Sequence, residues 1–191
     1  MESAHLKLEL FTPDRISDLF KAVGTDPEVY RWLRFAAPQN FEEFAEVMEG
    51  YIQESEQGIR NMYAVILKST GLPIGTTSFL DLNLTFNSIE IGSTFYAKEY
   101  WRSFVNTECK LMMLTEAFEI RGVERVTIKT DSKNQRSRDA IRRLGASFEG
   151  ILRHQVPRPD GTWRDSAYYS VLKEEWPTVK IGLENKLTFH A

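Results

Sequence analysis

The 191 residues can bury a core without disulfide or metal support, and 42% hydrophobic with 27% charged residues is the balance of a soluble globular chain. Lysine and arginine total 24 against 27 acidic residues, and a net charge of −3 gives no electrostatic reason to expect nucleic acid as a partner. The single cysteine, Cys109, excludes an intrachain disulfide, and no apolar run has the length of a membrane span or the pattern of a secretory leader, so a cytoplasmic protein is expected.

"LKLEL" alternates and predicts a first strand with Leu6, Leu8 and Leu10 on one face. Asp14 is placed to cap a helix carrying Ile16, Leu19, Phe20 and Val23. Phe41, Phe44, Val47, Met48 and Tyr51 repeat at helical spacing. "YAVILK" and "PIGTTSFLDL" read as two strands of a hairpin joined through "STGL". "SIEIGSTFY" alternates, with Ile89, Ile91, Ser93 and Phe95 on one side and Glu90, Gly92, Thr94 and Tyr96 on the other. A helix over about 106–121 follows, with Leu111, Leu114 and Phe118 as its stripe. "RVTIKT" is a strand, and "NQRSRDAIRRLG" a second helix with Ala140, Ile141 and Leu144 inward and Gly145 as its stop. "SFEGILR" and "AYYSVLK" are strands separated by a local turn at "RPDG", and a short helical tail ends the chain. The order is β-α-α-β-β-β-α-β-α-β-β, an α/β (α+β) sheet of six or seven strands. With no repeat or linker, residues 1–191 read as a single domain.

Neither G-x-x-x-x-G-K-[ST] nor G-x-G-x-x-G is present, which disfavours a P-loop nucleotidase and a dinucleotide dehydrogenase. Two strand–loop–helix units can still hold an anion. The first turn of a helix leaves N–H groups without internal partners and carries roughly half a positive charge. At the first helix, Arg102 and Ser103 approach from the loop, Asn106 is a good N-cap and Thr107 a further donor. Phe104 and Val105 complete a loop without glycine, and Glu108 is either a capping charge or a repulsive one. At the second helix, Arg136 and Arg138 in the first turn oppose the helix dipole unless an anion is near, and Asn134 and Ser137 can face a ligand crossing the helix start. An ordinary capped helix with solvated arginines is the simpler account of each unit.

"VNTECKLMMLTEAFE", "IKTDSKNQRSRDAIRRLGASFEGILR" and "DGTWRDSAYYSVLKEEW" together resemble the GCN5-related N-acetyltransferases, in their ribosomal-protein N-terminal acetyltransferase-like branch. The resemblance runs from about residue 5 to 177, with 178–191 a helical tail, and its most specific piece is Asp131, Asn134 and Ser137 followed by L-G-A-x-x-E-G. It implies one domain whose mixed, mostly antiparallel sheet is splayed between strands four and five, with acetyl-CoA in the cleft. Pantetheine would pair with the strand ending at Phe95 and Tyr96, and pyrophosphate would rest on amides around 102–107. Asn134 and Arg136 would add cofactor contacts, and Ser137 would donate to the departing sulfur. The partner would be an amine, either a small molecule or a protein N-terminus. Folds of this kind are commonly homodimers.

An alkyl ammonium has a pKa of about 10, so such chemistry needs a base. Glu90 is the candidate, acting through water, because it shares a strand face with Gly92, whose bare backbone leaves a ligand room. A solvated sheet-face glutamate is the alternative. His154 and Tyr168 are fallbacks, while His5 and His190, near the termini, are not expected to act. No residues are spaced for a metal, and Cys109 reads as core. Trp32, Phe35, Trp163 and Trp176 line the acceptor side or pack the core. The rival class is an idle acyl-CoA-binding or interaction module, suggested by Phe104 in the loop.

Overall fold

The computed structural model describes residues 1–188; the end of the expected tail, and His190 with it, lie outside the described residues. Seven strands form one sheet in the order β1-β2-β3-β4-β5-β7-β6: β1 Leu6–Leu10, β2 Arg60–Leu67, β3 Leu72–Asn83, β4 Ser88–Tyr96, β5 Arg125–Asp131, β6 Ser147–Pro157 and β7 Trp163–Leu172. All neighbours are antiparallel except β4 and β5. Helices α1 Ile16–Val23, α2 Pro27–Tyr30 and α3 Phe41–Glu56 precede β2. Then α4 Val105–Thr115 follows β4, α5 Gln135–Arg143 follows β5, and α6 Trp176–Thr188 ends the described chain.

Apolar side chains on both sheet faces make two cores. One packs Phe44, Met48 and Tyr30 of the early helices against Met62, Ala64 and Ile66 of β2. The other packs α4, α5 and α6 against Val65, Ile91, Val126 and Tyr169. The continuous apolar run of β2 reflects this burial on both sides.

Local details depart from the sequence expectations. Asp14 does not cap α1; it lies inside a 3-10 turn, Pro13–Arg15, that runs straight into the helix. Leu10 does not share the buried face of Leu6 and Leu8 but is 60% exposed at the end of the edge strand. The helix α2 is extra, started by Asp26 accepting from the Glu28 N–H at 2.9 Å with Pro27 in its first turn. Most of α4 is enclosed: Cys109, Lys110, Met112, Met113 and Leu114 are all buried, and Leu111, expected in the stripe, is only partly so.

Two features open the sheet at its centre. β4 pairs with β5 through Ser88, Ile89 and Glu90 alone, although both strands run on for several residues. Beyond Glu90 that edge of β4 therefore has no strand partner. On its other edge, β4 carries one residue more than β3 between the Ser78–Gly92 and Thr76–Phe95 pairs, a bulge at which Ser93 takes φ of 46°. The bulge corrects the simple alternation: Ile91 and Tyr96 join the α4 core, whereas Phe95 turns to Tyr30 on the opposite face.

Candidate active site

The splay opens a cavity of about 1680 Å³ that reaches from the starts of α4 and α5 to the loop after α2. Its first end is built around two unlike helix starts. The N-cap position of α4 is Phe104, which supplies no side-chain cap, and Asn106 is further in, not at the cap as its residue type suggested. Ser103 substitutes in part, its Oγ accepting from the Val105 N–H at 3.3 Å and donating to the Tyr100 carbonyl at 2.7 Å. The amides of a first helical turn have no intrahelical partners, and Arg102, Ser103, Asn106 and Thr107 at this helix start line the cavity. Arg102 holds φ of 61°, a left-handed conformation costly for a side chain and natural for glycine. The loop makes a glycine turn without a glycine.

Phe104 packs against His5, ring centroids 4.9 Å apart, and Val105 is wholly buried, so neither side chain lines the cavity; backbone is all they offer it. This removes the sequence argument for an idle module. Glu108 also turns away. Its carboxylate accepts from Ser3 Oγ at 2.5 Å, the His5 N–H at 2.8 Å and the Leu6 N–H at 3.2 Å, with the His5 ring at 3.0 Å. Burial raises its pKa, but these hydrogen bonds outweigh burial and leave it below the ordinary carboxylate value.

The start of α5 is closed by its own side chains. Asn134 accepts from the Ser137 N–H at 3.1 Å. Asp131 accepts from the Lys133 N–H at 2.9 Å and from Arg158 at 2.6 Å. Arg138, read as facing an anion, instead donates to Tyr169 Oη and the Ser132 carbonyl, each at 3.2 Å. Arg136 does reach the cavity, its guanidinium 3.6 Å from the Trp101 ring, and Trp101 Nε1 donates to the Tyr96 carbonyl at 3.1 Å. Ser137 lines the cavity, and its hydroxyl makes no hydrogen bond among the described residues. Phe95 and Tyr96 line it where β4 ends; Tyr96 is itself buried and donates to Asn106 at 3.4 Å.

Glu90 sits where β4 and β5 part, only 5% exposed, with the Lys129 ammonium 2.7 Å from its carboxylate. Burial pushes its pKa above the ordinary value and Lys129 opposes the rise, whereas Lys129 is pulled down by burial and carried up past it by Glu90. Gly92 lines the cavity, and a Cβ there would meet Leu80 Cδ1 at 2.8 Å and Glu90 Oε1 at 3.0 Å, so the bare backbone accommodates these two side chains. Above the bulge, the buried ammonium of Lys110 donates to Thr94 at 2.7 Å and Thr77 at 3.1 Å with no carboxylate partner among the described residues, and burial lowers its pKa to about 8.

His154 is not brought to the cavity; it stacks on Trp163, centroids 5.9 Å apart. Tyr168 lies beside Lys129, 5.8 Å from ring centroid to ammonium. Trp32 and Phe35 line the cavity, while Trp176 is core against Phe118. Sequence reasoning missed Lys129, Lys110, Arg34 and Arg164, all of which line the cavity. Lys129 reaches the face of Glu90 because the parallel pairing of Glu90 with Thr127 puts the residue two further along β5 there, a register that the sequence does not display. Among the described residues no helix is long and apolar enough to cross a membrane, and no His, Cys, Asp and Glu cluster is placed to hold a metal.

Residues 5–147 match the model of the acetyltransferase (GNAT) domain. The protein YdaF of Bacillus subtilis (strain 168), whose name provisionally assigns it to ribosomal N-acetylation, is 27% identical over 90% of this chain and 93% of its own. A crystal structure from T. thermophilus, provisionally described as an acetyltransferase, is 36% identical with a TM-score of 0.88, covering 97% of this chain and 95% of that one. Mycobacterium smegmatis RimJ, solved in complex with CoA-disulfide, shares the fold at 18% identity and a TM-score of 0.80, covering 95% of this chain and 88% of that one.

Proposed function

Because the chain belongs to the GNAT acetyltransferases and is therefore an acyltransferase, we propose that it moves an acetyl group from acetyl-CoA directly to a primary amine in a ternary complex. The acceptor is a small amine or a protein N-terminus, and residues 1–191 act as one catalytic domain. The observation that carries this reading is Glu90, a buried carboxylate at the point where the sheet opens, in the same cavity as the open start of α4.

The residues present fit the cofactor. Arg102, Arg136 and Arg143 line the cavity and form no ion pair among the described residues, beside first-turn amides that suit a pyrophosphate. The unpaired edge of β4 beyond Glu90 offers backbone groups to an extended amide chain and to the acetyl oxygen. Acetyl-CoA, when bound, supplies an activated thioester carbonyl.

Glu90 takes the proton of the acceptor ammonium through water, and its raised pKa makes it a stronger base than a surface glutamate. Lys129 holds it as a carboxylate. Ser137, with its hydroxyl uncommitted, donates to the developing thiolate. Cys109 is the only cysteine, fully buried with its thiol pKa pushed up by burial, and this supports transfer without an acyl-enzyme.

The test is a panel of amines and short peptides read by thiol release and by mass shift. Turnover of some member by the wild type is expected. Acetyl-CoA at one hundred times its Kd should stabilise the fold by about 2.7 kcal/mol, roughly 5 to 11 °C in Tm. A folded protein that neither shifts with millimolar acetyl-CoA nor releases thiol would overturn the reading.

A further inference from the structure

The acceptor end of the cavity is bordered by two guanidinium groups that form no ion pair among the described residues. Arg164, on β7, is half-buried and makes one hydrogen bond, from Nε to Ser166 Oγ at 2.9 Å; Ser166 in turn donates to Gln155 at 2.9 Å, which fixes the arginine's stem. Its terminal nitrogens have no partner among the described residues. The two carboxylates that influence it are already engaged, Asp131 by Arg158 at 2.6 Å and Glu90 by Lys129 at 2.7 Å. Arg34, in the loop after α2, faces the same chamber without any hydrogen bond or ion pair among the described residues. It adds a like charge to the burial that lowers the pKa of Arg164. Both arginines also border an adjoining cavity of about 370 Å³, so the space before them is open.

A half-buried guanidinium left without an ion pair, with a second, exposed arginine bordering the same chamber, costs free energy unless an anion joins it, and a planar guanidinium fork matches a carboxylate. Across the chamber stands the carboxylate that our functional reading assigns to the acceptor's amine, with Trp32, Phe35 and Tyr51 forming apolar wall. Amine toward Glu90 and anion toward the arginines describe one kind of molecule. Resting on that reading, we propose that the acceptor carries a carboxylate beside its reacting amine, as a free amino acid or an acidic first residue of a peptide does, and that Arg164 with Arg34 binds this carboxylate and sets specificity.

The experiment compares matched acceptors: phenylalanine with phenethylamine, and Glu-Ala-Ala amide with Gln-Ala-Ala amide. In at least one pair the acid is expected to have a kcat/KM about tenfold or more above its neutral partner, mostly through KM. Preference in the first pair assigns the carboxylate to a free amino acid, and preference in the second to a peptide N-terminus. Arg164→Gln should lower the acid's kcat/KM about tenfold more than the neutral amine's, a ratio in which amine basicity cancels. Arg164→Lys should recover part of the loss, and Arg34→Gln should act in the same direction more weakly. A readout apart from turnover is calorimetric binding of the corresponding acetylated acid in the presence of CoA, expected to weaken about tenfold in Arg164→Gln at an unchanged Tm. Equal use of acid and neutral partners in both pairs, or equal losses on both in Arg164→Gln, would overturn the proposal and leave the acetyltransferase reading standing. Absence of all turnover with all amines would remove both.

Discussion

Glu90 and Glu108 are both nearly inaccessible, 5% and 3% exposed, and burial alone raises the pKa of each. Their surroundings send them in opposite directions. Glu108, at the seam between α4 and the N-terminal segment, is saturated by a hydroxyl, two backbone N–H groups and an imidazole, so its charge is held and its lone pairs are used. Glu90, at the parting of β4 and β5, has one ammonium neighbour and keeps the raised pKa that desolvation imposes, with Asp81 adding to the rise. The number of donors around a buried carboxylate, more than its depth, decides whether it is a clasp or a base.

Replacing each group tests that difference. Glu90→Gln should reduce kcat/KM for the best amine about 10²- to 10³-fold at neutral pH, within the range for loss of a general base. The loss should shrink at high pH, where the amine deprotonates unaided, and the wild-type acid limb, lying above the ordinary carboxylate pKa, should disappear in the variant. A pH-independent loss would remove Glu90 from the role.

Lys110 is the cationic counterpart, a buried charge whose partners among the described residues are the hydroxyls of Thr77 and Thr94. Its folded pKa of about 8 lies below the ordinary 10.5, so between those values the native state sheds a proton that the unfolded state keeps. Stability from this group therefore rises with pH across that window. Measured by urea unfolding, wild type should gain up to about 3 kcal/mol on Lys110→Met between pH 7 and pH 10.5, and Lys110→Met should be the more stable at pH 7.

Glu108→Gln should cost about 2 kcal/mol at neutral pH, since charge-assisted hydrogen bonds are weakened or reversed. The sign with pH is opposite to that of Lys110: a depressed carboxylate contributes above its unfolded pKa and loses that contribution as pH falls through the folded one, so the gap should close in acid. Acetyl-CoA affinity should change little, because the carboxylate faces away from the cavity. The smallest effect is expected at the closed helix start. Asn134→Ala should lower stability by about 1 kcal/mol through loss of the α5 cap, or roughly 2 to 4 °C in Tm, read by thermal unfolding without cofactor.

The helix starts show how far the site was legible. Asn134 at the head of α5 could be read as a cap or as a ligand contact, and the structure gives the cap directly while leaving its place in the cavity wall. Asn106 looked equally suited to a cap and is not one, because the chain enters α4 through the left-handed turn at Arg102 and puts the cap at Phe104, two residues earlier. Capping preference is local chemistry and cannot see the path by which a loop arrives. The choice between Phe104 as obstruction and Phe104 as packing was likewise undecidable until His5, far away along the chain, was in place against it.

By itself the sequence determined the order of the strands and of the helices other than α2, the apolar faces that make a layered sheet, the family and the carboxylate most worth suspecting. Those follow from periodicity and from motifs whose residues are close along the chain. Tertiary structure alone decided the pairing of Glu90 with Lys129, the withdrawal of Glu108, the burial of Lys110 and the placing of Arg34 and Arg164 on one cavity. Each depends on register, on one extra residue at Ser93, or on a loop and a strand lining one cavity. These are long-range geometric facts: a shift of one position turns a side chain to the other face, and no local preference records it.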